Sequence, residues 1–358
     1  MNTVRRADRN EDRIVNFQFY FEMIGVVAFA ISGAALAFIA LVFIIYYGTT
    51  TDFVLGGVLD AEKISGMEEL LKFVFLLAFV GFGTKAAVFP MYAWLPAASV
   101  APTPVTALLH AVAVVNAGAY AVLRVIYYSF GASFLYGTWA QTVALLLSCF
   151  TILFGSTMAV REQHFKRRLA YSTISNLSYM LMGAALMTPD GMTGSLSHLV
   201  IHGVIKITLF YCAGAILIKT GKEYVQDLRG YSRIMPATCG IFLLGSIALV
   251  GTPPLAGFVS KWNLLTAASA TGLPMGTVAI VCLIISAILT AIYLFTAALP
   301  MYFRPLNADQ AQLAGQKLDP SWMMLLPMGI LCALMIGLGL WSQPLVTFLR
   351  NISAGVIF

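Results

Sequence analysis

Charge is what this sequence of 358 residues has least of. Lys, Arg, Asp and Glu make up 10% of it, against 60% hydrophobic residues. That composition excludes a soluble globular domain, which cannot hold so much apolar surface in water, and calls for a polytopic integral membrane protein. The apolar runs are continuous and do not alternate, which excludes a β-barrel and leaves helices. Cysteine is also scarce. Cys149, Cys212, Cys239, Cys282 and Cys332 stand singly in apolar runs. Without CxxC or Cys/His spacing, no iron–sulfur, zinc or other metal site is expected. No haem, flavin or nucleotide motif occurs either, so no cofactor is expected. The start, "MNTVRRADRNEDR", lacks the apolar segment and cleavage site of a signal peptide. The longest polar stretches, 48–68, 220–235 and 303–320, are too short to hold a catalytic domain. The net charge of +6 suits cytoplasmic loops better than nucleic acid, which is not expected as a partner.

What is present is a series of apolar segments. A bilayer core of about 30 Å needs roughly 20 apolar residues per helix, and nine spans satisfy this: 18–47, 69–91, 103–128, 136–160, 167–187, 192–219, 236–270, 273–302 and 321–349. The expected fold is therefore all-α and integral to the membrane, with about nine transmembrane helices. Residues 1–17 read as a cytoplasmic N-terminal segment, 18–349 as one polytopic domain and 350–358 as a C-terminal tail. Arg5, Arg6, Arg9, Arg13, Arg161, Lys166, Arg167, Arg168, Lys219, Lys222, Arg229, Arg233, Arg304 and Lys317 fall on alternate loops on one side. The positive-inside rule places that side in the cytoplasm, with the N-terminus inside, the C-terminus outside and the chain in the cell's inner (cytoplasmic) membrane among lipid. The seventh span carries Pro253 and Pro254, which remove helix hydrogen bonds and should divide it in two. Pro90 should distort the second.

Several ionisable residues fall deep within these runs: Lys85, His110, Lys206 and Lys261, with His198 and His202 ahead of Lys206 in "HLVIHGVIK". A lysine at the centre of a membrane helix costs about 2.5–3.5 kcal/mol on insertion scales. Apolar packing gives no reason to retain three. His198, His202 and Lys206 recur at i, i+4 and i+8 and so form one stripe on a helix face. Such a stripe suits a polar conduction path; a structural hydrogen-bond network is the alternative. Asn116 lies on the helix of His110. Arg124 and Glu22 sit near span ends, where snorkelling to the interface is the simpler reading. The hydroxyls of "KRRLAYSTISNLSYM" suit helix–helix packing or water. Lysine precedes proline in one broken span and follows it in the other, the mirrored order of an inverted-topology repeat.

Together "GFGTKAAVFPMYAWLPAASVAPTPVTALLHAVAVVNAGAYAVLR", "KRRLAYSTISNLSYM", "HLVIHGVIKITLFYCAGA" and "GTPPLAGFVSKW" resemble, in order, the antiporter-like subunits of respiratory complex I, Mrp antiporters and membrane-bound hydrogenases. "HAVAVVNAGAYAVLR" is nearest the hydrogenase-like members. The resemblance implies two inverted five-helix repeats, each with a broken helix, and a relay of buried lysines and histidines. Lys85 would be the lysine of the first broken helix, His110 the next relay, Lys206 with His198 and His202 the central one, and Lys261 the lysine of the second broken helix. Two departures stand out. Asn116 occupies a position where many members have lysine. The first repeat is incomplete, since the helices that precede the first span in the family, one with a glutamate for the first lysine, are not in this sequence.

The expected function is proton translocation by a membrane subunit of a multisubunit redox-driven complex, with Na+ as a second candidate ion. A lysine in low dielectric can switch between proton donor and acceptor as a neighbour's charge changes. The energy would come from other subunits, because this chain has no redox centre. The expected partners are other membrane subunits. One of these would supply the missing N-terminal helices and an acidic partner for Lys85. An Mrp-type cation/proton antiporter subunit without redox chemistry, a non-conducting scaffold and a stand-alone transporter are the alternatives.

Overall fold

The structure, a computed structural model, describes residues 4–99, 101–272, 274–307 and 315–355, with side chains from residue 24 onward except Val26. Glu22 therefore lies outside the described side chains. The described residues are helical, with only two isolated β-bridges, Gly48 with Leu59 and His164 with Tyr224.

In chain order the helices are α1 Val4–Tyr47, α2 Ala61–Ile64, α3 Glu68–Gly83, α4 Trp94–Ala98, α5 Thr103–Ala111, α6 Val114–Arg124, α7 Ala132–Leu135, α8 Trp139–Arg161, α9 Phe165–Ala185, α10 Pro189–Thr220, α11 Pro236–Val250, α12 Ala256–Ala270, α13 Pro274–Phe303, α14 Trp322–Leu340 and α15 Gln343–Ser353. A π-turn, Val125–Phe130, continues α6. Among the described residues, six segments are long and apolar enough to cross a membrane: Val27–Tyr47, Thr103–Phe130, Trp139–Arg161, Pro189–Thr220, Pro274–Phe303 and Trp322–Leu340. Helix limits follow local chemistry. Thr188 caps the start of α10 through Gly191 N–H, Pro189 takes the first position where no N–H is needed, and Gly221 ends the helix in the left-handed region.

Helix α9 is not among those six, because Lys166, Arg167, Arg168 and a run of hydroxyl residues make it too polar to face lipid. It is buried on nearly every side instead. Helix α8 covers it on one side, and α10 on another. Helix α10 in turn packs against α5, α11, α12, α14 and α15. Helices α1 and α14 lie outermost, exposing Ile31, Phe38 and Ile45, and Leu326, Ile330 and Leu334 respectively. Small residues bring α1 and α3 close. A Cβ on Gly81 would lie 2.5 Å from the Ala37 backbone nitrogen.

The observed elements differ from the expected spans in three places. The second span stops at Gly83, and the chain turns through 84–93 before α4. The third breaks between Ala111 and Val114. The ninth is two helices, α14 and α15, parted at Trp341–Ser342 ahead of Pro344, so residues 350–353 end a helix and do not begin a tail.

Candidate functional site

The α10 stripe is as buried as its spacing implies. His198, His202 and Lys206 are all inaccessible, Lys206 completely. Lys206 Nζ donates to the Leu169 carbonyl at 3.0 Å and to Ser172 Oγ at 2.7 Å, both on α9. The rings of His198 and His202 stack with centroids 5.7 Å apart. His198 Nδ1 is 3.0 Å from Ser260 Oγ on α12. Its Nε2 and both ring nitrogens of His202 are buried without a hydrogen-bond partner in the chain. Buried polar groups are normally paired with protein or ordered water, so these nitrogens mark sites suited to water.

Lys261 is built on the break between α11 and α12. Pro253 and Pro254 have no N–H, which leaves carbonyls at the end of α11 without helical partners. Lys261 Nζ folds back and donates to the carbonyls of Leu249 and Val250 at 2.8 and 3.0 Å. The amine thus caps the negative end of α11, where a cation is favoured without a carboxylate. Gly251 makes the turn at φ +93°, and a Cβ there would lie 2.9 Å from Lys261 Cδ. Glycine is required both for the turn and for the path of the side chain. Lys261 Nζ lies over the Tyr179 ring, 5.4 Å from its centroid. The same ring stands edge-on to His198 at 5.4 Å. The structure therefore brings Lys206, His202, His198 and Lys261 into one contiguous group.

His110 joins the group from α5. Its ring stacks on Phe210 of α10 at 5.0 Å, and both its nitrogens are buried and unpartnered. The helix breaks immediately after it. Asn116 Nδ2 donates to the freed Ala111 carbonyl at 3.0 Å, while its Oδ1 is unpartnered. Gly203, beside His202, faces this gap: a Cβ on it would lie 3.4 Å from the Ala111 oxygen. Sequence reasoning missed this break because no Gly or Pro lies between 111 and 114. Asn116, an amide able to hold a freed carbonyl, was the available signal.

Lys85 stands apart. It lies just beyond the end of α3 and is exposed, whereas its place in the apolar run implied depth. The reason is the early stop of the helix. The Thr84 carbonyl accepts from Trp94 Nε1 at 2.8 Å, and the Phe89 N–H goes to Thr151 Oγ1 at 3.2 Å, ahead of Pro90. Lys85 borders a groove of about 490 Å³ lined by Ala30, Gly33, Ala34, Ala37 and Trp94. Among the described residues none of the six bases forms an ion pair. Arg124 sits among Phe53, Tyr120 and Tyr128, 4.6–5.2 Å from their ring centroids, and its Nε donates to Tyr120 OH at 2.9 Å.

Known proteins resemble this chain in sequence and in fold. The profile of the NADH:quinone oxidoreductase/Mrp antiporter transmembrane family matches residues 22–290, which contain all six bases. NADH-quinone oxidoreductase subunit N of Desulforudis audaxviator is 32% identical over 289 residues, 78% of this chain and 56% of that protein. Subunit L of Rickettsia conorii is 36% identical over 239 residues, 65% of this chain and 35% of that protein. A chain in the structure of the Mrp complex from Dietzia sp. has the same fold, with a TM-score of 0.79 and 22% identity, covering 94% of this chain and 68% of its own. The chain thus spans about half the length of the first curated relative and about a third of the second.

Proposed function

The chain belongs to the NADH:quinone oxidoreductase/Mrp antiporter transmembrane family, and on that premise we propose that it moves protons inside the membrane as one subunit of a larger complex. One observation carries the proposal. Lys206 and Lys261 are bonded only to neutral oxygens, and between and beside them stand the unpartnered ring nitrogens of His198, His202 and His110. A neutral imidazole accepts a proton at one nitrogen and releases one from the other. The row can therefore pass a proton between two amines that are held ready but not fixed by a counter-ion. The driving force would come from partner subunits.

Lys85 would be the end of the row that faces a partner. An exposed amine at membrane depth needs a counter-charge, and the Ala- and Gly-lined groove beside it admits a helix at close range. We place there a helix from outside this sequence, carrying a carboxylate to Lys85. The N-terminus would be cytoplasmic and the C-terminus outside, in the inner membrane. The mirrored breaks at Lys85–Pro90 and Pro253–Lys261 would belong to two inverted repeats.

The test is Lys206→Ala in the assembled complex, in vesicles driven by the complex's own energy source. The expected result is normal assembly with proton movement reduced to background. Normal translocation would refute the relay.

A further inference from the structure

Beside the row of bases runs a second buried polar thread, made only of hydroxyls. On α13, Ser286, Thr290 and Tyr293 are spaced i, i+4 and i+7 and share a face. That face meets Ser172, Ser175 and Tyr179 of α9, and all six are fully buried. The thread begins at Lys206, which donates to Ser172 Oγ at 2.7 Å. Ser172 Oγ is 2.5 Å from Tyr293 OH, which donates to Thr290 Oγ1 at 3.4 Å. Thr290 Oγ1 donates to the Ser286 carbonyl at 2.7 Å, and Tyr179 OH, which neighbours it, donates to Ser286 Oγ at 2.7 Å, so a proton passing from Thr290 to Tyr179 requires the Thr290 hydroxyl to turn away from that carbonyl. Ser286 Oγ also pairs with Ser175 at 3.1 Å and with Ser156 of α8 at 2.5 Å. Gly155 permits this approach: a Cβ there would lie 2.9 Å from the Ser175 nitrogen. The thread thus runs from the amine of Lys206 to the phenol whose ring lies beneath Lys261.

Three features make this a proton wire and not packing or a cation cage. Every member both donates and accepts. The Ser172–Tyr293 and Tyr179–Ser286 pairs are at hydrogen-bond separations of 2.5 and 2.7 Å, with Tyr293 to Thr290 a longer step of 3.4 Å, whereas oxygens around a shared ion would be turned toward it and not toward each other. The end nearest Arg168 is closed by a fixed charge: Arg168 donates to the Tyr293 carbonyl and to Thr296 Oγ1, both at 2.9 Å. Arginine stays protonated and repels an excess proton, so the thread leads sideways between the two lysines.

We propose that the α9–α13 hydroxyls form a second conducting branch between Lys206 and Lys261, parallel to His202 and His198. This rests on the proton-moving role proposed above. In each passage an N–H bond of the Lys206 ammonium breaks as an O–H bond forms on Ser172. Ser172 gives its own proton to Tyr293, and the exchange continues to Tyr179. Each oxygen gains one proton and loses one. The last transfer, to neutral Lys261 over the Tyr179 ring, goes through a bridging water.

Parallel branches predict that either one alone sustains transport. In vesicles carrying the intact complex, Tyr293→Phe alone should lower the rate less than about twofold, and the same change in a His202→Ala background should lower it about tenfold further. In that background Ser172→Thr should retain the rate that Ser172→Val loses. This pair has one shape and differs in the hydroxyl, so a packing defect would affect both equally. If Tyr293→Phe changes nothing in the His202→Ala background, or if Ser172→Thr and Ser172→Val behave alike, the branch is refuted while the histidine route stands. Full transport in Lys206→Ala would instead overturn the underlying proton-moving role.

Discussion

Replacing Lys261 separates a relay from a structural cap. In the native chain its amine holds the Leu249 and Val250 carbonyls at 2.8 and 3.0 Å. Lys261→Ala leaves both without a donor, and each unpaired buried group costs about 1–3 kcal/mol. The break between α11 and α12 should therefore lose about 2–6 kcal/mol before water enters. Transport would be lost either way, so alanine alone cannot distinguish the roles. Lys261→Arg can. Guanidinium keeps the donors and the positive charge at the end of α11 but does not release a proton near neutral pH. A structural cap survives this change and a relay does not. The expected outcome is native complex content on a non-denaturing gel, with proton movement down about a hundredfold or more, as for loss of a proton-transfer group. Translocation by Lys261→Arg at half the native rate or better would refute the relay role and leave Lys261 as a helix cap.

Other outcomes follow from the same geometry. A Cβ at Gly257 would lie 1.8 Å from the Ala248 carbonyl oxygen, so Gly257→Ala should cost about 3 kcal/mol by overpacking the α11–α12 contact. Thermal inactivation at native temperature would contradict this. Lys85→Cys should react with a membrane-permeant maleimide in the isolated chain and be protected in the assembled complex; equal labelling in both would exclude a partner on that flank. Burial above all lowers the pKa of His164 below its usual 6.5, against the attraction of Glu223. With the folded pKa depressed, its contribution is intact above pH 6.5 and is lost as pH falls through the folded value. The Phe165 amide, bonded to the Glu223 carbonyl, should therefore exchange faster below that range relative to neighbouring helix amides. A constant ratio would refute it.

Much of the architecture was legible because apolar run length and paired prolines act locally. The break at Pro253–Pro254 follows from two missing N–H groups, and the α10 stripe from a four-residue spacing. What escaped depends on tertiary context. The gap after Ala111 is held open by an amide five residues on and by a glycine of another helix, and neither marks a break by itself. Lys85 read as deep because its run is apolar, but exposure is decided by which helices lie beside it. Ser286, Thr290 and Tyr293 share a face inside an apolar run, yet their meaning appears only opposite α9. The polarity of α9, which the sequence counts as one span among nine, reflects its place between α8 and α10.

A map of the intact complex in its membrane, with waters resolved, tests most directly whether the buried bases are joined. Ordered waters should bond the unpartnered nitrogens of His110 and His202 and connect them, without an apolar gap, to Lys206 and Lys261, with an acidic side chain beside Lys85. Dry apolar packing around those nitrogens, or rings turned so that protein groups occupy both of them, would contradict a proton path through the histidines.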